Sequence, residues 1–297
     1  MTVQKNQLIQ TVFFTNFILN MGNTACTSNM GCTSNPLDLA LKEEPGAMNV
    51  LHWFTSVDMK TWTHQGPIAW GVTSLGAHQM DDQRLGITCI QEVRPPNWWE
   101  QQNPKVYGYL FDGETFEATT WSIDDSQTQS YIDPQWFEGH MWYISPTGYT
   151  GDPAHAPSTP LRSSNPGIEH FAAPKISDPS IVRYQDEQWI FLTQNGSLLL
   201  LKGENPKTYL DPEYTKHFNG STVPFAFVSD GILYLAAQRQ FNGRRIPMIS
   251  HLNQFNKWSG WKPITDMPMS IQACTSPIVQ PNPKGGWVMM CIEEKRK

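Results

Sequence analysis

Apolar and polar residues come in short paired runs along this chain. Ile181-Val182 is followed by Gln185-Asp186-Glu187 and then by Trp189-Ile190-Phe191-Leu192. A β-branched run, a polar turn and an aromatic-rich run predict strand, turn, strand. Pro179 cannot donate to a ladder, so it is expected at the first residue of its strand or beside an edge, which places Asp178 at the strand mouth. The same order recurs in Ile132-Asp133-Pro134 with Met141-Trp142-Tyr143-Ile144, in Thr222-Val223-Pro224 with Ile232-Leu233-Tyr234-Leu235, and in Thr275-Ser276-Pro277 with Trp287-Val288-Met289-Met290.

The prolines at 134, 179, 224 and 277 stand 45, 45 and 53 residues apart. A period in the forties with several strands per unit is the pattern of β-propeller blades. A second element repeats as well. Ser56 closes a strand, Asp58-Met59-Lys60 makes a turn, and Trp62 leads into the next strand. Weaker echoes lie at Asp112 to Trp121, Gly203 to Tyr209 and Leu252 to Trp258. The tryptophans are expected to pack between blades, where a large ring buries the most area.

The units run over about 63–121, 131–170, 176–209 and 222–261. The Pro277 hairpin lacks its two outer strands, and the N-terminal strands up to Trp62 supply a third and an outer one. Joined, they make a fifth blade that closes the ring and removes exposed sheet edges. The predicted fold is therefore all-β: one five-bladed β-propeller spanning 1–297, its N- and C-terminal strands sharing a blade. Two long loops, around Arg94 to Gln101 and from Pro146 to Pro174, are expected to frame one face.

Composition adjusts this picture in three respects. Charged residues are only 16% and tryptophans number 12, which excludes disorder and suits many short strands with aromatic faces. Net charge is −6, and the one basic cluster is the Lys295-Arg296-Lys297 tail, so no nucleic acid is expected as a partner. Five cysteines without a Cys-x-x-Cys pair exclude a zinc ribbon, and buried thiols in a reducing, cytoplasmic compartment are expected. Leu8 to Met21 is broken by Thr15, Asn16 and Asn20 and is too short and polar to cross a membrane. It makes a poor signal peptide and reads as a strand-forming segment.

The chemistry concentrates at Asp133 and Asp178. In a propeller the first strand of each blade lines the central channel, so residues preceding equivalent X-Pro steps sit near one mouth. Two carboxylates converging there suit glycoside hydrolysis, with one protonated to serve the leaving oxygen and the other charged. The ordinary structural alternative is an aspartate capping its strand in an Asx-type turn. Trp98, Trp99, Trp136, Tyr149, His140 and His170 are candidates for contacting a sugar, with packing as the ordinary role of the rings and histidines. No His-x-His or His-Glu-x-x-His pattern calls for a transition metal, and no cofactor is expected; a structural calcium or sodium ion in the channel stays open.

Leu51 to Ile68, together with Ile132-Asp133-Pro134 and Ser177-Asp178-Pro179-Ser180-Ile181-Val182, resembles the five-bladed furanosidase clan of invertases, levansucrases, arabinanases and β-xylosidases. The resemblance covers most of 48–292. It implies three acids on successive inner strands: a base or nucleophile Asp, a second Asp that tunes or holds the sugar, and a general-acid Glu. If Asp133 is the tuning residue, Asp178 takes the place of the acid. If the two are the first pair, the third place falls at Thr222-Val223, and Glu169 is the substitute. The expectation is a glycoside hydrolase-like enzyme using Asp133, Asp178 and Glu169 on a small-molecule, carbohydrate substrate, without a membrane partner. The alternatives are a non-hydrolytic cyclase or lyase with a hydrophobic ligand, or a binding propeller without chemistry.

Overall fold

A computed structural model describes residues 49–91, 105–125, 131–145, 159–164, 167–241, 244–264 and 274–293. Five four-stranded antiparallel sheets carry the chain. In chain order from residue 72, the first sheet is β3 (Val72–Gln79), β4 (Leu85–Gln91), β5 (Lys105–Phe111) and β6 (Phe116–Ser122). The second is β7 (Ile132–Phe137), β8 (His140–Ile144), β9 (Thr159–Ser163) and β10 (Ile168–Ala173). The third is β11 (Ile176–Tyr184), β12 (Glu187–Gln194), β13 (Ser197–Lys202) and β14 (Lys207–Thr208). The fourth is β15 (Ser221–Ser229), β16 (Ile232–Phe241), β17 (Arg244–His251) and β18 (Lys262–Pro263).

The fifth sheet orders β19 (Cys274–Pro281), β20 (Trp287–Glu293), β1 (Val50–Ser56) and β2 (Thr63–Trp70), so two C-terminal strands are completed by two N-terminal ones. The first strands β3, β7, β11, β15 and β19 touch in succession and β19 returns to β3, which closes a five-bladed propeller. Closure gives the inner edges partners from the next blade instead of leaving them to pair with other chains. The buried Gln135 side chain of β7 accepts from the Ile181 N–H of β11 at 2.9 Å, and Ser180 Oγ of β11 accepts from the Ala226 N–H of β15 at 2.7 Å.

The apolar core lies between blades. Trp142, Ile144 and Leu161 of the second blade meet Ile181, Ile190 and Leu192 of the third. Phe191 and Leu200 of the third meet Leu233 and Leu235 of the fourth. The hairpin turns follow the expected chemistry: Gln185 and Asp186 adopt φ values of 52° and 60°, as a two-residue turn matched to strand twist requires. Asp58 accepts the Lys60 and Thr61 N–H groups at 2.9 and 3.1 Å in the turn before the buried Trp62. The equivalent turns use Asp112 and Asn253 in the same way.

The structure corrects and adds to these expectations. Residues 63–70 form the outer strand of the closing blade, and the next blade begins at Val72, in a strand without proline. The stretch from Pro146 to Pro174 contains the two outer strands β9 and β10 instead of being loop throughout. A helix, α1 (Pro212–Phe218), lies between β14 and β15, capped by Asp211, whose side chain accepts from the Glu213 and Tyr214 N–H groups. Cys274 and Cys291 are joined in a disulfide across β19 and β20, with Cα atoms 5.5 Å apart, which overturns the expectation of reduced thiols. No helix among the described residues is long and apolar enough to cross a membrane. The segment expected to form strands before residue 48 lies outside the described residues.

Candidate active site

Four of the five inner strands share one irregularity. The ladder skips Asp133-Pro134 in β7, Asp178-Pro179 in β11, Val223-Pro224 in β15 and Ser276-Pro277 in β19. In each, the residue before proline has a φ of 51°. Proline supplies no ladder donor, so the extra pair is extruded as a bulge, and bulges re-aim side chains. Asp178 thus lies within its strand, not at its mouth as the sequence suggested. Aspartate tolerates this left-handed backbone; Val223, being β-branched, is strained there. In β3 the skipped residue is Thr73 alone, so Thr73, Asp133, Asp178, Val223 and Ser276 hold equivalent places on the five inner strands, a rim of irregular positions.

The two acids are neighbours on this rim. The Asp178 backbone N–H donates to Asp133 Oδ2 at 2.9 Å, and Ser74 Oγ of β3 donates to Asp133 Oδ1 at 2.8 Å. Ser177 Oγ donates to Asp178 Oδ2 at 2.7 Å. Both aspartates are half-buried. Burial first, and then the charge of Asp133, push the Asp178 carboxyl up to about 7, against the opposing pull of the Ser177 hydroxyl. A carboxyl still half-protonated near neutrality beside another acid has the character of a proton donor.

The remaining candidates do not join the pair. Glu169 is exposed on β10, the outermost strand, with Arg162 at 3.8 Å. Three strand spacings separate β10 from β7, about 14 Å. His170, also on β10, stacks on Trp142 at 4.0 Å and contacts Ser163 Oγ through Nε2 at 2.8 Å. Burial, then the charges of Arg162 and His140, lower its pKa to about 4. His140 is exposed at the far end of the β7–β8 hairpin, with Nδ1 3.1 Å from the Ser164 carbonyl oxygen. Trp136 packs between the first two blades, its ring 5.8 Å from that of His78. Trp98, Trp99 and Tyr149 lie outside the described residues.

Sequence reasoning missed Ser74 and Ser177, the hydroxyls that hold the two acids. Ser177 and Thr193 are ladder partners in β11 and β12, a relationship that the strand register reveals and the sequence spacing does not. Among the described residues no group of three His, Cys, Asp or Glu side chains is arranged to hold a metal ion.

Solved structures share this fold. An α-L-arabinofuranosidase from Lactobacillus brevis superposes with a TM-score of 0.50 at 11% identity, over 76% of this chain and 85% of that one. The two share a fold. A thermostable family-43 glycoside hydrolase gives a TM-score of 0.46 at 11% identity, covering 75% of this chain and 88% of its own. An endo-arabinase from Bacteroides thetaiotaomicron gives 0.45 at 13%, covering 73% and 87%. No family model and no curated protein sequence matches the chain.

Proposed function

We propose that this propeller cleaves the glycosidic bond of a small glycoside or oligosaccharide, with Asp178 as proton donor and Asp133 as the charged residue that tunes it. The observation carrying this reading is the rim pair itself: neighbouring inner strands, a shared hydrogen bond, and a carboxyl pushed up to about 7. Asp178 gives its proton to the leaving oxygen as the bond to the anomeric carbon breaks, the charge on Asp133 offsets the positive charge developing on the sugar, and a water molecule adds to the anomeric carbon and returns a proton to the Asp178 carboxylate. Glu169 has no part in this proposal. Aryl furanosides are the first substrates to screen, with aryl pyranosides beside them. Wild type is expected to release the aryl group, and Asp178→Asn to lose a hundredfold or more, on the order of a general acid's contribution. Asn variants of both aspartates that retain the wild-type rate overturn the reading.

A second reading is a carbohydrate-binding propeller without chemistry. It is favoured by the commitment of both Asp133 oxygens, one to Ser74 and the other to the Asp178 N–H, as in a structural clamp. Binding that persists unchanged in both Asn variants, without turnover in wild type, supports it.

A further inference from the structure

We infer that Val223 sets the substrate class: it gives the rim an apolar wall on the leaving-group side of Asp178, so that the group released is an apolar alcohol and not a second sugar. This rests on the proposed role of Asp178 and names the substrate of that same site. Val223 follows Asp133 and Asp178 in the series of bulged places, on the next inner strand, with the same φ of 51° and the same proline after it. Its N–H donates to Thr193 Oγ1 at 2.8 Å, and Thr193 is the ladder partner of Ser177, the residue before Asp178. That bond crosses from the third blade to the fourth and sets Val223 next to the Asp178 bulge, on the side away from Asp133.

Two features make a valine unexpected there. A β-branched residue is strained in the left-handed region that aspartate tolerates, and Ser276 holds the equivalent place on β19 without branching. Nor does the core call for it. Half-buried Val182 packs against the cluster between the third and fourth blades, whereas Val223 joins none of the apolar clusters among the described residues. Strain of this kind collects where a ligand is met. A valine side chain offers no hydrogen bond to the hydroxyls of a sugar and gains only from an apolar group removed from water. In the proposed reaction the charge of Asp133 serves the sugar and Asp178 the leaving oxygen, so the place beyond Asp178 falls to the leaving group.

The test uses the hexyl and methyl glycosides of the sugar that wild type accepts in the aryl screen, together with a disaccharide of that sugar. The two alkyl glycosides differ in apolar area and not in the bond broken. Wild type is expected to favour the hexyl over the methyl glycoside by about tenfold or more in kcat/KM, and to cleave the disaccharide less well than the hexyl glycoside. Val223→Ser, the residue already held at 276, is expected to bring the two alkyl glycosides within about threefold and, by relieving strain, to raise Tm by about 2 °C. Equal cleavage of both by wild type, a better rate on the disaccharide, or a preference that survives in folded Val223→Ser overturns the inference and leaves the role of Asp178 standing. A Tm that falls in Val223→Ser also overturns it, because packing then accounts for the valine. A wild type that cleaves no aryl glycoside, or an Asp178→Asn variant with full turnover, removes the catalytic reading and this inference with it.

Discussion

The N–H of Asp178 donates to the carboxylate of Asp133 across the gap between two blades, at 2.9 Å. This bond joins the two acids that open neighbouring inner strands, and it gives the extruded Asp178 backbone a partner that the ladder cannot supply. It also places a negative charge beside a carboxyl that burial already disfavours in its charged form.

A pH dependence of stability follows. The folded state keeps a proton on Asp178 up to about pH 7, whereas the unfolded chain gives it up near 3.8. The native state therefore binds more protons between these values, and stability falls as pH rises through that window, then levels off above it. Between pH 5 and pH 8 this group costs on the order of 3 kcal/mol. Urea denaturation at the two pH values is expected to show that loss in wild type and not in Asp178→Asn.

Gly76 of β3 faces the second blade. A Cβ there would meet the Pro134 carbonyl oxygen and Thr88 Oγ1, each at 2.6 Å, and the first of these is backbone. Thr88 Oγ1 itself donates to that carbonyl, so the contact has no slack. Gly76→Ala is expected to lose about 2 kcal/mol in denaturant unfolding. Because Pro134 follows Asp133, it should also perturb the Asp133 resonances.

Asp125 is held inside the second blade by Arg162, with Nε at 2.8 Å, and by the Tyr143 hydroxyl; its side chain is 1% exposed. Removing one partner of a buried pair leaves the other charge without compensation. Asp125→Ala is expected to cost about 3–5 kcal/mol by chemical denaturation, and Asp125→Ala with Arg162→Met less than the sum of the two single changes.

The Cys274–Cys291 disulfide pins the innermost strand of the closing blade to its neighbour over a separation of 17 residues. A loop of this length is worth about 3 kcal/mol through the unfolded chain. Cys274→Ala with Cys291→Ala is expected to lower stability by that amount and to abolish the effect of a reductant on the unfolding midpoint.

Much of this fold was legible in the chain. The X-Pro step marks every inner strand but one because proline forces the same bulge in each blade. The first blade was read as a unit from residue 63, but its inner strand went unmarked because β3 skips only Thr73 and has no proline. The helix α1 carried its own signals in Asp211, Pro212 and the basic Lys216 near its end, but its apolar residues Tyr214 and Phe218 are too few to stand out by period. At the site, Asp133 and Asp178 were legible from equivalent places in the repeat. Glu169 was not placed by any repeat, and the strand pairing puts it three strands outward. The hydroxyl of Ser74 reaches Asp133 only through a contact between blades, which local sequence does not encode.

The most direct test of the account is the titration of the Asp178 carboxyl in wild type and in Asp133→Asn. A wild-type midpoint near 7 that falls in Asp133→Asn, yet stays above 3.8 because burial is the larger cause, is the predicted result. An ordinary carboxylate midpoint in wild type, or a raised one indifferent to Asp133, contradicts it.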